Sequence, residues 1–169
     1  MRIVTPTPPA RRILVIDDDN FIRGLLEASL RASDFEVRGV ATQAEFGEEL
    51  VAFDPHVVMV DLDLGPGPSG MQLLALVEAD SPWVAKIVVT SHRSTRLVDG
   101  NAPAVPDVTY IVKADITSAD QIVAAVNASL EGEATVINDA GDAVRLTKGQ
   151  ADVLRMIASG MSNESIAQA

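Results

Sequence analysis

Side chains able to do chemistry stand at one kind of place in this sequence, just past a short apolar run. Asp17, Asp18 and Asp19 follow Ile13-Leu14-Val15-Ile16, and Asp61 and Asp63 follow or flank the end of Val57-Val58-Met59-Val60. Thr90 and Ser91 follow Ile87 to Val89, and Lys113 follows Val108 to Val112. Carboxylates brought close together repel and raise one another's pKa unless positive charge sits between them. Oxygen ligands without cysteine or paired histidine suit a hard cation, for which Mg2+ is the natural choice. A chelated Mg2+ can bridge a carboxylate and an incoming phosphoryl group and neutralise charge that develops in transfer. A carboxylate nucleophile, Asp61, would become an aspartyl phosphate. Thr90 offers a hydroxyl and Lys113 a point charge to the phosphoryl oxygens.

The elements that must position these groups are legible as an alternation. Runs of four apolar residues rich in Val and Ile are too short for helices and too continuous for half-exposed strands, so they read as strands buried on both faces. Between them, Asn20 or Asp19 can cap a helix carrying Phe21, Leu25, Leu26 and Leu30. Thr42-Gln43-Ala44-Glu45 is a capping box opening a helix with Phe46, Leu50 and Val51, ended before Asp54-Pro55. Ser69 can cap a helix bearing Met71, Leu74 and Val77, and Ser118-Ala119-Asp120-Gln121 opens one with Ile122, Val126 and Leu130. Phe35 to Val40 alternates like a strand, and the Gly/Pro-containing segment from His92 to Asp107 leaves room only for a short helix over 94–98. Five strands alternating with helices predict an α/β fold with a doubly wound five-stranded parallel sheet. With the flavodoxin-like order 2-1-3-4-5, the first and third strands are neighbours, and Asp17, Asp18 and Asp61 converge where the strand order reverses. The resulting division is a disordered tail over 1–11, a domain over 12–130, a linker over 131–145 and a short helical segment over 146–169.

Composition narrows the classes. The chain has 169 residues, 24 acidic against 13 basic, and a formal charge of -11, so its bulk charge would be repelled by a phosphate backbone. No apolar run reaches the length that spans a bilayer, and the N-terminal tail lacks the apolar core of a secretion signal. The absence of cysteine excludes disulfides, thiolate metal sites and a cysteine nucleophile, and agrees with a reducing, cytoplasmic setting.

The domain over 12–130 resembles a response-regulator receiver. The matching pieces are Asp17 and Asp18 after the first strand, Asp61 after the third, Thr90 after the fourth and Lys113 after the fifth, with Tyr110 three residues before the lysine. The resemblance implies a two-component phosphorelay protein in which Asp61 accepts a phosphoryl group from a sensor histidine kinase. It implies that Asp18 and Asp61 bind Mg2+ directly, that Asp17 acts through water, and that the backbone carbonyl of Asp63 completes the metal site. Thr90 and Tyr110 would then be the switch pair that moves when a charge of about -1.5 to -2 arrives. Residues 146–167 look like the start of a LuxR-type helix-turn-helix, the DNA-binding transcriptional output domain of the NarL/LuxR regulators. The recognition helix that enters the major groove is not completed within the sequence, so DNA binding is expected only through a complete output domain. If the phosphorylated form becomes a homodimer, the last receiver helix is the surface for it.

Three features depart from the family's pattern. The loop from Asp61 to Gly70 is one residue longer than usual, Gly65 stands where proline is common, and Ala114 follows Lys113 where many receivers have proline. Rival readings come from other classes. A receiver fold that works through protein interaction without phosphorylation is one, and a haloacid-dehalogenase-type phosphatase is another, because Asp61-Leu62-Asp63 matches its nucleophile motif. In that family the motif opens the sheet, whereas here the acid pair comes first. Gly65 to Gly70 also fits G-x-G-x-x-G, yet it does not follow the first strand, and the strand after it ends in Thr90-Ser91 rather than an acid for a ribose. Asp17 to Asp19 could serve as helix-capping acids alone, and Tyr110 as core alone. His56 and His92 are lone histidines read as structural or solvated, and Trp83 as a packing residue after a turn.

Overall fold

The computed structural model describes residues 10–91, 105, 107–132, 135–137 and 143–145. The elements are β1 (Arg12–Ile16), α1 (Asn20–Arg31), β2 (Glu36–Val40), α2 (Gln43–Phe53), β3 (Val57–Asp61), α3 (Gly70–Asp80), β4 (Ala85–Thr90), β5 (Val108–Val112), a short 3-10 turn (Lys113–Asp115), α4 (Ala119–Leu130), β6 (Thr135–Ile137) and β7 (Ala143–Arg145). The first five strands are parallel in the order β2-β1-β3-β4-β5, as the alternation predicts. The expected N-terminal tail, apart from its last two residues, the expected short helix over 94–98, His92 and the helix-turn-helix segment over 146–169 lie outside the described residues.

The segment read as a linker over 131–145 contributes two more strands to the sheet. β6 pairs parallel with β5 at Tyr110 and Val136, and β7 pairs antiparallel with β6, giving a seven-stranded sheet. Three-residue strands are too short to leave a periodic signal. In the sequence the Gly, Asn and Asp residues of 138–142 carry the composition of a linker, and they hid the short Val- and Ile-containing runs on either side.

Each central strand alternates its side chains between two cores, which is why the strands read as unbroken apolar runs. Leu14, Ile16, Val58, Val60 and Val88 pack with Phe46, Phe53, Leu74 and Val77 from α2 and α3. Ile13, Val15, Val57, Met59, Ile87, Val89 and Ile111 pack on the other face with Leu26 and Leu30 of α1 and Ile122 and Val126 of α4. The helix starts carry the predicted caps. Asp19 accepts from the backbone N–H groups of Phe21 and Ile22, and Thr42 with Glu45 and Ser69 with Gln72 form complete capping boxes. At α4 the side chain of Gln121 accepts from the Ser118 N–H at 3.2 Å. His56 is structural, its Nδ1 accepting from the Arg12 N–H at 3.0 Å, and burial lowers its pKa.

Four apolar residues expected to pack are exposed: Phe21 at 77%, Leu25 at 42%, Val51 at 82% and Trp83 at 76%. In α1 the buried line runs through Leu26 and Leu30, and in α2 through Phe46 and Phe53. Phe21 precedes Leu26 by five residues and Val51 follows Phe46 by five, so each stands about 140° around its helix from that buried residue and faces solvent. Trp83 sits in the turn between α3 and β4, beyond the reach of either core. Met59→Ala is therefore expected to cost about 2–5 kcal/mol, whereas Val51→Ser should change stability by less than about 0.5 kcal/mol. Urea denaturation of both variants checks the assignment.

Candidate functional site

The parallel order β1-β3-β4-β5 lines up four carboxyl ends along one edge, and every predicted site residue except Tyr110 stands at or just past one of them. Asp17 and Asp18 follow β1, Asp61 ends β3 and is followed at two residues by Asp63, Thr90 ends β4, and Lys113 follows β5. Carboxylate oxygens of Asp17, Asp18 and Asp61 lie within 4.8 Å of one another. Tyr110 lies inside β5 and is half-buried, in contact with the core on the α2–α3 face. Thr90 is buried at the strand end.

Burial and charge are in conflict here. Asp17 is 1% exposed and Asp61 3% exposed, so neither carboxylate is well solvated, while Asp18 faces solvent. The Lys113 ammonium answers both buried acids, with Nζ 2.7 Å from Asp17 Oδ2 and 2.7 Å from Asp61 Oδ2. Asp61 Oδ1 accepts from the Asp63 N–H at 3.2 Å, and Asp17 Oδ1 accepts from the Asp19 N–H at 2.9 Å. Burial pushes the Asp61 carboxyl above its ordinary value, and the bond and charge of Lys113 offset this only in part. Burial also works against the Lys113 charge, but the two carboxylates outweigh it and hold the ammonium above its ordinary pKa. Lys113 is thus a fixed cation across the neutral range.

The donor set fits a hard divalent cation. All candidate ligands are oxygens, three carboxylates converge, and the buried Asp17 Oδ2 lies beside the ammonium without a well-directed hydrogen bond. The carboxylate oxygens that face the ammonium keep further lone pairs, and a metal ion would take these up.

Sequence reasoning missed three residues that shape this edge. Gly70 is buried at the start of α3, and a Cβ there would lie 2.1 Å from the Asp61 carbonyl oxygen. Its N–H donates to the Leu62 carbonyl at 3.2 Å, closing the Gly/Pro loop at its base. Arg23 on α1 donates from Nη1 to the Asp17 carbonyl at 2.6 Å and so ties α1 to the end of β1. Gln43, the first residue of α2, reaches into the loop after Asp61. No spacing rule announces these contacts: those of Gly70 and Arg23 depend on the path of the loop between consecutive elements, and those of Gln43 join residues more than 20 positions apart. The glycine-rich loop itself leaves β3, the neighbour of β1, which removes the setting that a dinucleotide fingerprint needs.

Fold and edge together define a class: a doubly wound α/β domain with an acidic pocket and a lysine at the carboxyl ends of its strands. The family model for the response regulator receiver domain matches residues 13–127, and the chain belongs to that family. It is similar to the transcriptional regulatory protein FixJ of Azorhizobium caulinodans, at 28% identity over 95% of this chain and 77% of that protein. It is also 35% identical to a protein-glutamate methylesterase/protein-glutamine glutaminase of Rhodopseudomonas palustris, over 57% of this chain but only 27% of that one. Among solved structures, a CheY-like receiver domain from Methanospirillum hungatei matches with a TM-score of 0.62 and 26% identity, covering 73% of this chain and 95% of the other.

Two measurements check the site's physics. Because the folded-state pKa of Asp61 lies above 3.8, its ionisation disfavours the fold, and stability falls as pH rises from about 3.8 through the raised value. Asp61→Asn should therefore melt higher than the wild type near neutrality, with the gap narrowing as pH is lowered toward 3.8. Thermal melts across that range give the answer. Gly70→Ala should cost at least about 1–3 kcal/mol by overpacking against the Asp61 backbone, read by denaturant unfolding.

Proposed function

We propose that the chain is a phosphoacceptor of a two-component system, taking a phosphoryl group on Asp61 from a sensor histidine kinase. The observation that carries this reading is the buried Asp17–Lys113–Asp61 arrangement, with 2.7 Å from the ammonium to each carboxylate, beside the solvent-facing Asp18. The Asp61 carboxylate would attack phosphorus in line, and the electron pair of the breaking P–N bond would return to the kinase imidazole. Asp17, Asp18 and Asp61, with the backbone carbonyl of Asp63, would hold Mg2+. When bound, Mg2+ supplies charge neutralisation between carboxylates and phosphoryl oxygens. Lys113 would shift from the carboxylates to a phosphoryl oxygen, its charge already fixed by its surroundings. The Thr90 hydroxyl would take another oxygen, and half-buried Tyr110 on the neighbouring strand would follow it, carrying the change to the α2–α3 face.

The output in this reading is a LuxR-type DNA-binding domain begun over 146–169, joined to the receiver at 12–130. Similarity to FixJ, a transcriptional regulatory protein aligned over nearly the whole chain, supports it. The protein would act in the cytoplasm as a switch rather than an enzyme with a diffusible substrate, with a homodimer formed on phosphorylation through α4.

Intact-mass spectrometry after incubation with acetyl phosphate, with and without Mg2+, tests the proposal on the wild type and Asp61→Asn. The expected outcome is a gain of one phosphoryl group in the wild type alone and only with Mg2+. No gain in either protein favours a receiver that acts by protein interaction, and steady phosphate release without accumulation favours the phosphatase reading.

A further inference from the structure

The loop between Asp61 and α3 is wound around one side chain that the phosphoacceptor reading does not use. The side-chain amide of Gln43 points Nε2 at three loop carbonyls, Leu64 at 3.4 Å, Pro66 at 3.3 Å and Pro68 at 3.3 Å. Alternate residues of the loop thus turn their carbonyls inward onto one nitrogen. Two N–H groups serve three acceptors, so each bond is long and shared, but together they give the loop interior a polar anchor. The backbone path needs glycine at two places, Gly65 at φ +73° and Gly67 at φ +119°, and a Cβ on Gly67 would lie 3.2 Å from Gln43 Nε2. Gln43 itself is held firmly. It opens α2 inside the Thr42–Glu45 capping box, and Phe46 on the same helix is buried in the core.

The base of the loop is the phosphoacceptor. Asp63 N–H donates to Asp61 Oδ1, the buried Leu64 plants the next residue in the core, and Gly70 N–H returns to the Leu62 carbonyl. The first carbonyl that Gln43 holds belongs to Leu64, one peptide beyond the Asp63 backbone. We propose that Gln43 is a positioning residue of the site: its amide sets the path of residues 62–69 and so holds the Asp63 backbone in register with Asp61. The inference rests on the phosphoacceptor reading for its consequence, and on the loop contacts alone for its structural half.

The test compares the full chain with Gln43→Glu, Gln43→Ala and Gln43→Lys. Glutamate keeps the shape but turns an acceptor toward three carbonyls, alanine removes the anchor, and lysine restores donors. Hydrogen exchange of the 62–69 segment in metal-free protein should speed up in Gln43→Glu and Gln43→Ala and return toward wild type in Gln43→Lys. Mg2+ affinity by calorimetry and the rate of phosphoryl gain from acetyl phosphate should each fall by about tenfold in Gln43→Glu, again with recovery in Gln43→Lys. Faster loop exchange with unchanged Mg2+ affinity and phosphorylation rate would overturn the positioning role, and unchanged exchange would overturn the anchor itself. A wild type that binds no Mg2+ and gains no phosphoryl group defeats the phosphoacceptor reading instead, and the exchange result then still decides whether Gln43 holds the loop.

Discussion

Two carboxylates buried beside one ammonium are the constraint around which this domain is organised. Asp17 and Asp61 are almost fully withdrawn from water, and in a low-dielectric setting their mutual repulsion would be severe without Lys113 between them. One cation for two buried anions leaves the edge short of positive charge. Burial raises the Asp61 pKa first, and the Asp17 charge adds to it while Lys113 offsets only part. Structural ion pairs are usually balanced; this one is not.

Everything else serves to hold that imbalance in place. Residues 17, 61 and 113 meet only because a parallel sheet in the order β2-β1-β3-β4-β5 sets their strands close together with carboxyl ends aligned. The sheet is rigid because each central strand is buried on both faces, in two cores that share no side chains. Loops then bring function to the edge of a firm platform, as open α/β sheets generally do. The starts of α1 and α3 also stand at the same edge, where the positive ends of the helix dipoles add favourable potential for negative charge.

The loop after Asp61 is held by a few local devices. Two glycines at positive φ, a buried leucine and a glutamine at the start of α2 give it a defined path. At its end, Gly70 allows α3 to start against the backbone of Asp61, closer than any side chain would permit. The edge of the sheet is extended in a similar local way. A hairpin of two three-residue strands continues the sheet from β5, which as a result is no longer an edge strand over its full length.

The sequence by itself determined the alternation of elements, the strand ends at which Asp17, Asp18, Asp61, Thr90 and Lys113 stand, and the starts of the four helices α1 to α4. These are local properties: a continuous apolar run, a capping pair or a proline acts within a few residues, so pattern alone reveals it. Tertiary structure decided which of those groups meet, that Asp17 and Asp61 are buried while Asp18 is not, and that Lys113 lies between the two buried carboxylates. It also decided that Phe21, Val51 and Trp83 face water, that 135–137 and 143–145 join the sheet, and that Gln43 and Gly70 shape the loop over the site. Such facts depend on tertiary contacts, some of them between residues as far apart as Asp61 and Lys113, and on the angle at which each helix meets the sheet. No local pattern carries that information, because the same sequence of elements could be packed with different faces inward until the cores are filled.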